Sequence, residues 1–200
     1  MFWNILPFAE TPDYKVFLAK GTSIWLRIMP REGTPREWSH DELLKCGSAY
    51  ATKDNLRRET ETDSIAFAFL TGEIWCVDTG VLQISGRNHL YFLDIARTLV
   101  QRFRSYGGFL QCLSIEPPYK WIAGLEGVNG WRLKVPPPPN HVSTSSGETC
   151  LSSVVVASGT YNPEEPAAMT LRPFFSQLFR KCGMTIPEHI EEVIRTNRKF

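Results

Sequence analysis

Residues 64–78 read SIAFAFLTGEIWCVD, and this stretch decides the fold class. Two apolar runs rich in β-branched and aromatic residues flank a Thr-Gly pair, a pattern that predicts a β-hairpin. Upstream, residues 23–29 alternate the aliphatic side chains of Ile24, Leu26 and Ile28 with other residues. That alternation predicts another strand with one apolar face, which Pro30 ends.

Further strands are predicted where short apolar runs are bounded by turn residues. They lie at residues 14–20, 109–115, 121–125, 131–135 and 151–157. The dipeptide Asn129-Gly130 favours a tight turn. Residues 131–135 are therefore expected to return along 121–125 as its hairpin partner.

Helical periodicity is clearest from His89 to Tyr106, where apolar residues recur at intervals of three and four. Asn88 is the expected cap, and the pair Gly107-Gly108 is expected to end the helix. Ser39 and Glu42 form a capping box that begins a helix at residues 40–49. Other helices are predicted at 166–182, with a late start at Pro173 as an alternative, and at 187–194.

These elements predict an α+β fold, with a mainly antiparallel sheet of six to eight strands and three or four packed helices. Residues 136–149 contain four prolines followed by a Ser- and Gly-rich run. About fifty residues follow this segment, which is short for an independent domain. The favoured interpretation is one domain over residues 1–200 with a surface loop at 136–149, and a domain boundary there is the alternative.

Composition limits the classes of function. Lys and Arg total 22 and Asp and Glu total 21, which gives a net charge of +1. A chain that coats nucleic acid or a membrane surface usually has a clear basic excess, so such binding would need a local patch. No apolar run reaches the roughly 18 residues of a membrane span. The apolar share of 42% argues against a disordered chain.

Five cysteines are spread through the chain without a CxxC pair. Cys76 lies in the apolar run of residues 74–77 and is expected to be a small buried hydrophobe. Free thiols of this kind predict a reducing compartment, and therefore a cytoplasmic protein.

Catalytic motifs are missing from the sequence. There is no nucleophile elbow and no glycine-rich phosphate loop, and the four histidines have no metal-ligand spacing. The sequence thus predicts no catalytic residue, no metal and no cofactor, although a site assembled from remote residues stays open. Glu73 and Asp78 are expected to be solvated on opposite sides of the sheet.

The most suggestive polar feature is basic. Arg97, Gln101 and Arg104 form one stripe on the helix predicted at 89–106, with Arg102 nearby and Arg87 just before the helix. Tyr91 and Tyr106 flank the stripe. Arginines that meet phosphates beside rings that stack on bases are typical of a nucleic-acid surface, whereas an ordinary solvated face is the alternative.

A second candidate site surrounds the predicted strands at 121–125 and 131–135. Lys120, Arg132 and Lys134 lie near two tryptophans and would bind a ligand, with tryptophans that simply belong to the core as the alternative. Glu126 lies in the glycine-rich segment 124–130, where small residues let a ligand or another backbone approach. A twisted hairpin that needs glycine is the alternative there.

Several segments resemble a known family. They are residues 24–30 (IWLRIMP), 117–128 (PPYKWIAGLEGV) with 133–136 (LKVP), the hairpin at 62–78, and 171–175 (LRPFF). Together they look like the C-terminal region of bacterial Schlafen-like proteins that carry an AlbA-type DNA-binding or ATP-binding domain at their N-terminus. The acidic opening motif of that N-terminal domain is missing here, so the resemblance implies no catalytic residue for this chain.

The leading hypothesis is a non-catalytic accessory or sensing module of a bacterial Schlafen-like system. It would bind nucleic acid through Arg87, Arg97, Arg102 and Arg104, or bind a partner protein. One alternative is an enzyme with a site near Glu126. Another is a structural or self-associating domain, which an exposed apolar edge at residues 2–3 would favour.

Overall fold

The computed structural model describes residues 2–5, 22–31, 37–54, 64–83, 88–139 and 147–196. The strand predicted at 14–20, the segment 140–146 and Arg87 lie outside these ranges. Eight strands are described: β1 (Phe2–Ile5), β2 (Ser23–Met29), β3 (Ser64–Ala68), β4 (Ile74–Asp78), β5 (His89–Tyr91), β6 (Tyr119–Glu126), β7 (Arg132–Lys134) and β8 (Val154–Tyr161). The helices are α1 (His40–Asp54), α2 (Gly80–Gln83), α3 (Phe92–Cys112), α4 (Ala167–Thr170), α5 (Arg172–Lys181) and α6 (Glu188–Thr196).

A six-stranded sheet organises the fold, in the order β1-β3-β4-β2-β6-β8. Five of its strands are antiparallel, and β1 pairs in parallel with β3 at one edge. β5 and β7 form a separate two-stranded sheet. The predicted α+β fold with a mainly antiparallel sheet is confirmed. The hairpin of β3 and β4 and the strand β2 also form as predicted.

The main core lies between the six-stranded sheet and α3. The aliphatic face of β2, formed by Ile24, Leu26 and Ile28, is buried in the same cluster as the apolar face of α3. Phe103 of α3 packs edge-on against Trp121 and Tyr161, at ring-centroid distances of 5.6 and 4.8 Å. Such edge-to-face pairs add to the stabilisation that burial provides.

The helix starts follow local sequence where a cap is present. At α1, the Ser39 backbone N–H donates to Glu42 Oε2 over 2.8 Å, and the Glu42 N–H donates back to Ser39 Oγ over 3.3 Å. The predicted capping box is therefore confirmed. Pro173 lies in the first turn of α5 and Gly183, with a φ of 69°, follows its end. The helix predicted at 166–182 divides at Leu171 into α4 and α5, and the alternative of a late start with Pro173 in the first turn is confirmed for α5.

α3 departs most from the prediction. It begins three residues later than expected, because residues 89–91 form β5, and it continues through Gly107-Gly108 to Cys112. The strand predicted at 109–115 is accordingly wrong. Gly107 is required for packing instead: a Cβ there would lie 2.9 Å from Tyr161 Cε1. Glycine lets the helix backbone approach a buried tyrosine ring.

Replacing Gly107 with alanine is expected to lower the free energy of unfolding by about 1–2 kcal/mol, although alanine favours a helix by about 1 kcal/mol over glycine. Tyr161 cannot easily move aside, because Phe103 and Tyr119 both pack against its ring. Urea denaturation measures the change. Gly108→Ala, on the partly exposed side of α3, is the matched control and is expected to stabilise.

That pair of substitutions separates the low helix propensity of glycine from its role in letting the helix approach Tyr161. If Gly107→Ala and Gly108→Ala stabilise the protein equally, then Gly107 is not there to accommodate Tyr161.

The cysteine prediction needs a correction. Cys46 of α1 and Cys112 at the end of α3 are joined by a disulfide, so these two thiols are not free. Cys76, Cys150 and Cys182 are free and buried, as predicted for Cys76. Within the described ranges, no helix combines the length and the apolar character that crossing a bilayer requires.

Candidate nucleic-acid interface

The two short strands outside the main sheet build the most suitable binding surface. β5 and β7 run parallel, with His89 opposite Arg132, Leu90 opposite Leu133 and Tyr91 opposite Lys134. Leu90 and Leu133 are fully buried. Because side chains alternate along a strand, the other four side chains share the opposite face. We call His89, Tyr91, Arg132 and Lys134 the β5–β7 face.

Backbone hydrogen bonds hold β7 on both sides. The Arg132 N–H donates to the Asn88 carbonyl over 2.9 Å, and the Leu133 N–H donates to the Glu148 carbonyl over 2.9 Å. Arg132 also forms an isolated antiparallel bridge with Thr149. The strand that carries Arg132 and Lys134 is thus anchored to neighbours before β5 and before β8.

The chemistry of this face combines rings with cations. Tyr91 is 44% exposed, and its ring lies edge-on to that of His89 at a centroid distance of 6.1 Å. Arg132 is exposed and Lys134 is half-buried. In the part of the chain that the structure describes, neither cation takes part in an ion pair. An exposed ring beside two available cations can stack on a base and contact phosphates.

Arg102 does not belong to a surface, which corrects its predicted nucleic-acid contact. It is 7% exposed, and its Nη2 donates to Asp78 Oδ2 over 2.5 Å. Its Nη1 donates to the hydroxyl of Tyr106 over 3.3 Å. Tyr106 is fully buried, so it is not an exposed stacking ring either. Arg102 is a core residue that compensates a buried carboxylate.

Asp78 was expected to be solvated, and this was wrong. Its side chain ends β4 in the interior, where Oδ1 accepts a hydrogen bond of 3.0 Å from the Val81 N–H at the start of α2. Burial raises the pKa of the neighbouring Cys76 thiol, and burial likewise raises that of the Tyr106 hydroxyl. Both groups stay protonated at neutral pH, so this buried cluster is structural in character.

Glu73 is also paired rather than freely solvated. Arg27 of β2 binds it through two nitrogens, with Nη2 donating to Oε2 over 3.0 Å. The ion pair is partly exposed and lies on the sheet surface opposite α3.

The helical stripe keeps two of its predicted cations. Arg104 and Gln101 are exposed on α3, and the Arg97 side chain is 40% exposed. Arg97 Nη1 lies 3.5 Å from Asp94 Oδ1. Two arginines and one aspartate leave this stripe with a small positive charge. Arg87 lies outside the described residues.

The second predicted site is divided by the fold. Lys120 is exposed on β6 of the main sheet, whereas Arg132 and Lys134 lie on β7, which pairs with β5. The predicted hairpin between 121–125 and 131–135 is therefore wrong. After the Asn129-Gly130 turn, β7 pairs with β5 instead of β6. Its buried Leu133 lies opposite the buried Leu90.

Glu126 is engaged by a tryptophan. Trp25 Nε1 donates to Glu126 Oε1 over 2.9 Å. The indole crosses the sheet over Gly124, where a Cβ would lie 2.3 Å from the ring. The cross-strand neighbours of Glu126 are Ser23 and Val154. Gly124 thus makes room for Trp25, which agrees with the interpretation that geometry requires the glycine.

Comparison with known proteins gives no relative: no protein-family model, curated protein or solved structure matches this chain. Among the described residues, no cluster of His, Cys, Asp and Glu side chains is arranged to hold a metal ion.

The sequence analysis singled out three of the four members of the β5–β7 face but not their association. Tyr91, Arg132 and Lys134 were each singled out, in two different patches. A usable signal was the polar-apolar-polar pattern of His89-Leu90-Tyr91 and Arg132-Leu133-Lys134, which marks two strands half-buried on a leucine. The helical pattern of the following residues concealed the first of these.

Proposed function

We propose that this chain is a non-catalytic accessory or sensing module that binds single-stranded nucleic acid through the β5–β7 face. The observation that supports the proposal is the parallel register of β5 and β7, which sets Arg132 beside His89 and Lys134 beside Tyr91. The Schlafen-like resemblance agrees with a module of this kind in a bacterial system.

Single strands suit this face better than a duplex. Stacking on an aromatic ring needs an unpaired base, and Tyr91 offers an exposed ring. Arg132 and Lys134 are two residues apart on one strand, roughly 7 Å along it, so two phosphates of one backbone can be contacted together. With only two free cations, the affinity is expected to be modest and sensitive to salt.

A protein partner is the second candidate. The edge strand β8 exposes Val154 at 41% and Val156 at 44%, and Leu151 just before it is 80% exposed. Exposed apolar groups on a sheet edge favour association with another chain. An enzyme centred on Glu126 has less support, because the described hydrogen bond of its carboxylate is to an indole.

The cellular setting belongs to the same proposal. Three buried free thiols, Cys76, Cys150 and Cys182, favour the cytoplasm. The disulfide of Cys46 and Cys112 favours an oxidising compartment and is the observation that opposes this assignment.

Fluorescence anisotropy with labelled single-stranded and duplex DNA and RNA, across a salt series, tests the proposed binding. Tyr91→Ala is expected to weaken single-strand binding roughly tenfold, because one base loses its stacking partner. Tyr91 makes no side-chain cap to α3, so the helix start is unaffected. Arg132→Gln/Lys134→Gln is expected to reduce the salt slope by about 1.4.

The matched control is Arg97→Gln/Arg104→Gln, which also removes two cations but from the helical stripe. It is expected to change the affinity much less. If the helical pair abolishes binding and the β5–β7 pair does not, the interface lies on α3. An absence of binding even at low salt would leave the protein partner as the better account.

A further inference from the structure

Cys150 and Cys182 are two buried thiols that come from distant parts of the chain. Cys150 lies between β7 and β8, and Cys182 follows α5. The backbone N–H of Leu151 donates to the Lys181 carbonyl over 2.9 Å, which joins the residue after one cysteine to the residue before the other. This bond connects the peptide group that follows Cys150 to the peptide group that precedes Cys182, so it brings the two cysteines side by side.

The backbone fixes the position of each thiol. The Cys150 N–H donates to the Trp131 carbonyl over 2.7 Å, and its carbonyl accepts from the Gly130 N–H over 2.9 Å. The Cys182 N–H donates to the carbonyls of Leu178 and Phe179 at the end of α5. Backbone hydrogen bonds therefore hold both cysteines in place, next to β7 and at the end of α5.

We propose that Cys150 and Cys182 are an oxidisable dithiol, which a peroxide converts to an intramolecular disulfide. The bond would link the segment before β8 to the end of α5. This inference is independent of the nucleic-acid proposal, because it concerns different residues and a different chemistry.

The environment assigns the two sulfurs different roles. The hydrogen bond from Cys182 lowers the pKa of Cys150, and the same hydrogen bond, together with burial, raises the pKa of Cys182. Cys150 also has an exposed residue on either side of it in the chain, and its thiolate, the nucleophilic form, is the one that attacks. It breaks the O–O bond of hydrogen peroxide to give a sulfenic acid and hydroxide, which takes up the proton released by Cys150.

Cys182 completes the reaction. Its sulfur attacks the sulfenic sulfur, the S–S bond forms, and the hydroxyl group leaves as water with the Cys182 proton. In total, two thiols and one hydrogen peroxide give one disulfide and two waters. The two electrons lost by the sulfurs reduce the O–O bond.

The path from solvent to Cys150 is short, although both sulfurs are buried. Thr149 is exposed, and Leu151 is 80% exposed, so Cys150 lies one residue from the surface on either side. Cys76 provides the contrast within the same chain. It lies on the central strand β4, and burial raises its pKa, so it is expected to stay reduced.

The test uses the full chain with the Cys46–Cys112 disulfide intact and the other thiols reduced. After hydrogen peroxide treatment, the protein is quenched, unfolded, alkylated and digested without reduction. Mass spectrometry is expected to find a peptide pair cross-linked through Cys150 and Cys182. The intact mass should fall by two hydrogens and two alkylation sites should be lost, while Cys76 is still alkylated.

Cys182→Ala removes the second thiol and is expected to leave a sulfenic acid on Cys150, which dimedone traps. The proposal is overturned if Cys150 and Cys182 of the natural chain stay fully alkylated at peroxide doses that oxidise an exposed reference thiol. It is also overturned if Cys76 is oxidised as fast as Cys150, because reactivity would then not follow from the pairing.

Discussion

Replacing Arg102 with methionine while Asp78 is retained is expected to lower the free energy of unfolding by about 3–5 kcal/mol. Asp78 is 8% exposed, so the substitution would leave its carboxylate buried without the guanidinium that compensates it. The Val81 N–H would be its remaining described donor. Urea denaturation followed by tryptophan fluorescence measures the loss.

Two further variants decide whether the buried charge is the cause. Arg102→Met/Asp78→Leu removes both charges and is expected to recover much of the stability, since an apolar pair of similar volume can replace a buried ion pair. Arg97→Met breaks the partly exposed pair with Asp94 and should cost less than about 1 kcal/mol. If Arg102→Met costs no more than Arg97→Met, the buried pair does not stabilise the fold as described.

Local sequence was sufficient for the elements whose determinants are neighbours in the chain. The β3–β4 hairpin, the strand β2 and the capping box of α1 all formed as predicted. Each depends on residues within about fifteen positions of one another. The period-2 alternation of β2 is visible without knowledge of what packs against it.

Tertiary contacts account for the errors. Gly107 looked like a helix end, but the ring of Tyr161, more than fifty residues away in sequence, explains why glycine lies inside α3. Arg102 lies beside a basic stripe in the sequence, but its partner Asp78 is at the end of β4, 24 residues earlier in the chain. Arg104 and Arg102 are two residues apart, about 200° around the helix, so they lie on nearly opposite faces. Helical periodicity places Arg102 on the buried face, three residues after Leu99 and four before Tyr106.

The candidate interface was predictable in its residue types only. The sequence analysis assigned Arg132 and Lys134 to a ligand site and Tyr91 to a nucleic-acid surface, and so placed them in two separate sites. Their association depends on the parallel pairing of two three-residue strands. Such pairing of distant short strands has almost no local signal, because parallel partners are joined by long connections rather than by a turn.

Reduction of the Cys46–Cys112 disulfide is expected to lower the free energy of unfolding by about 4 kcal/mol, because the bond closes a loop of 66 residues and restricts the unfolded chain. It also ties α1 to the end of α3. Urea denaturation with and without reductant measures the effect in the natural chain.

Cys46→Ala/Cys112→Ala should be as unstable as the reduced natural chain and nearly insensitive to reductant. Cys76→Ala, which removes a thiol outside the bond, should keep the full response to reductant. Should reductant shift the double variant as much as the natural chain, the stabilising bond lies between other cysteines, and the pair Cys150 and Cys182 would be the first to examine because their thiols already meet.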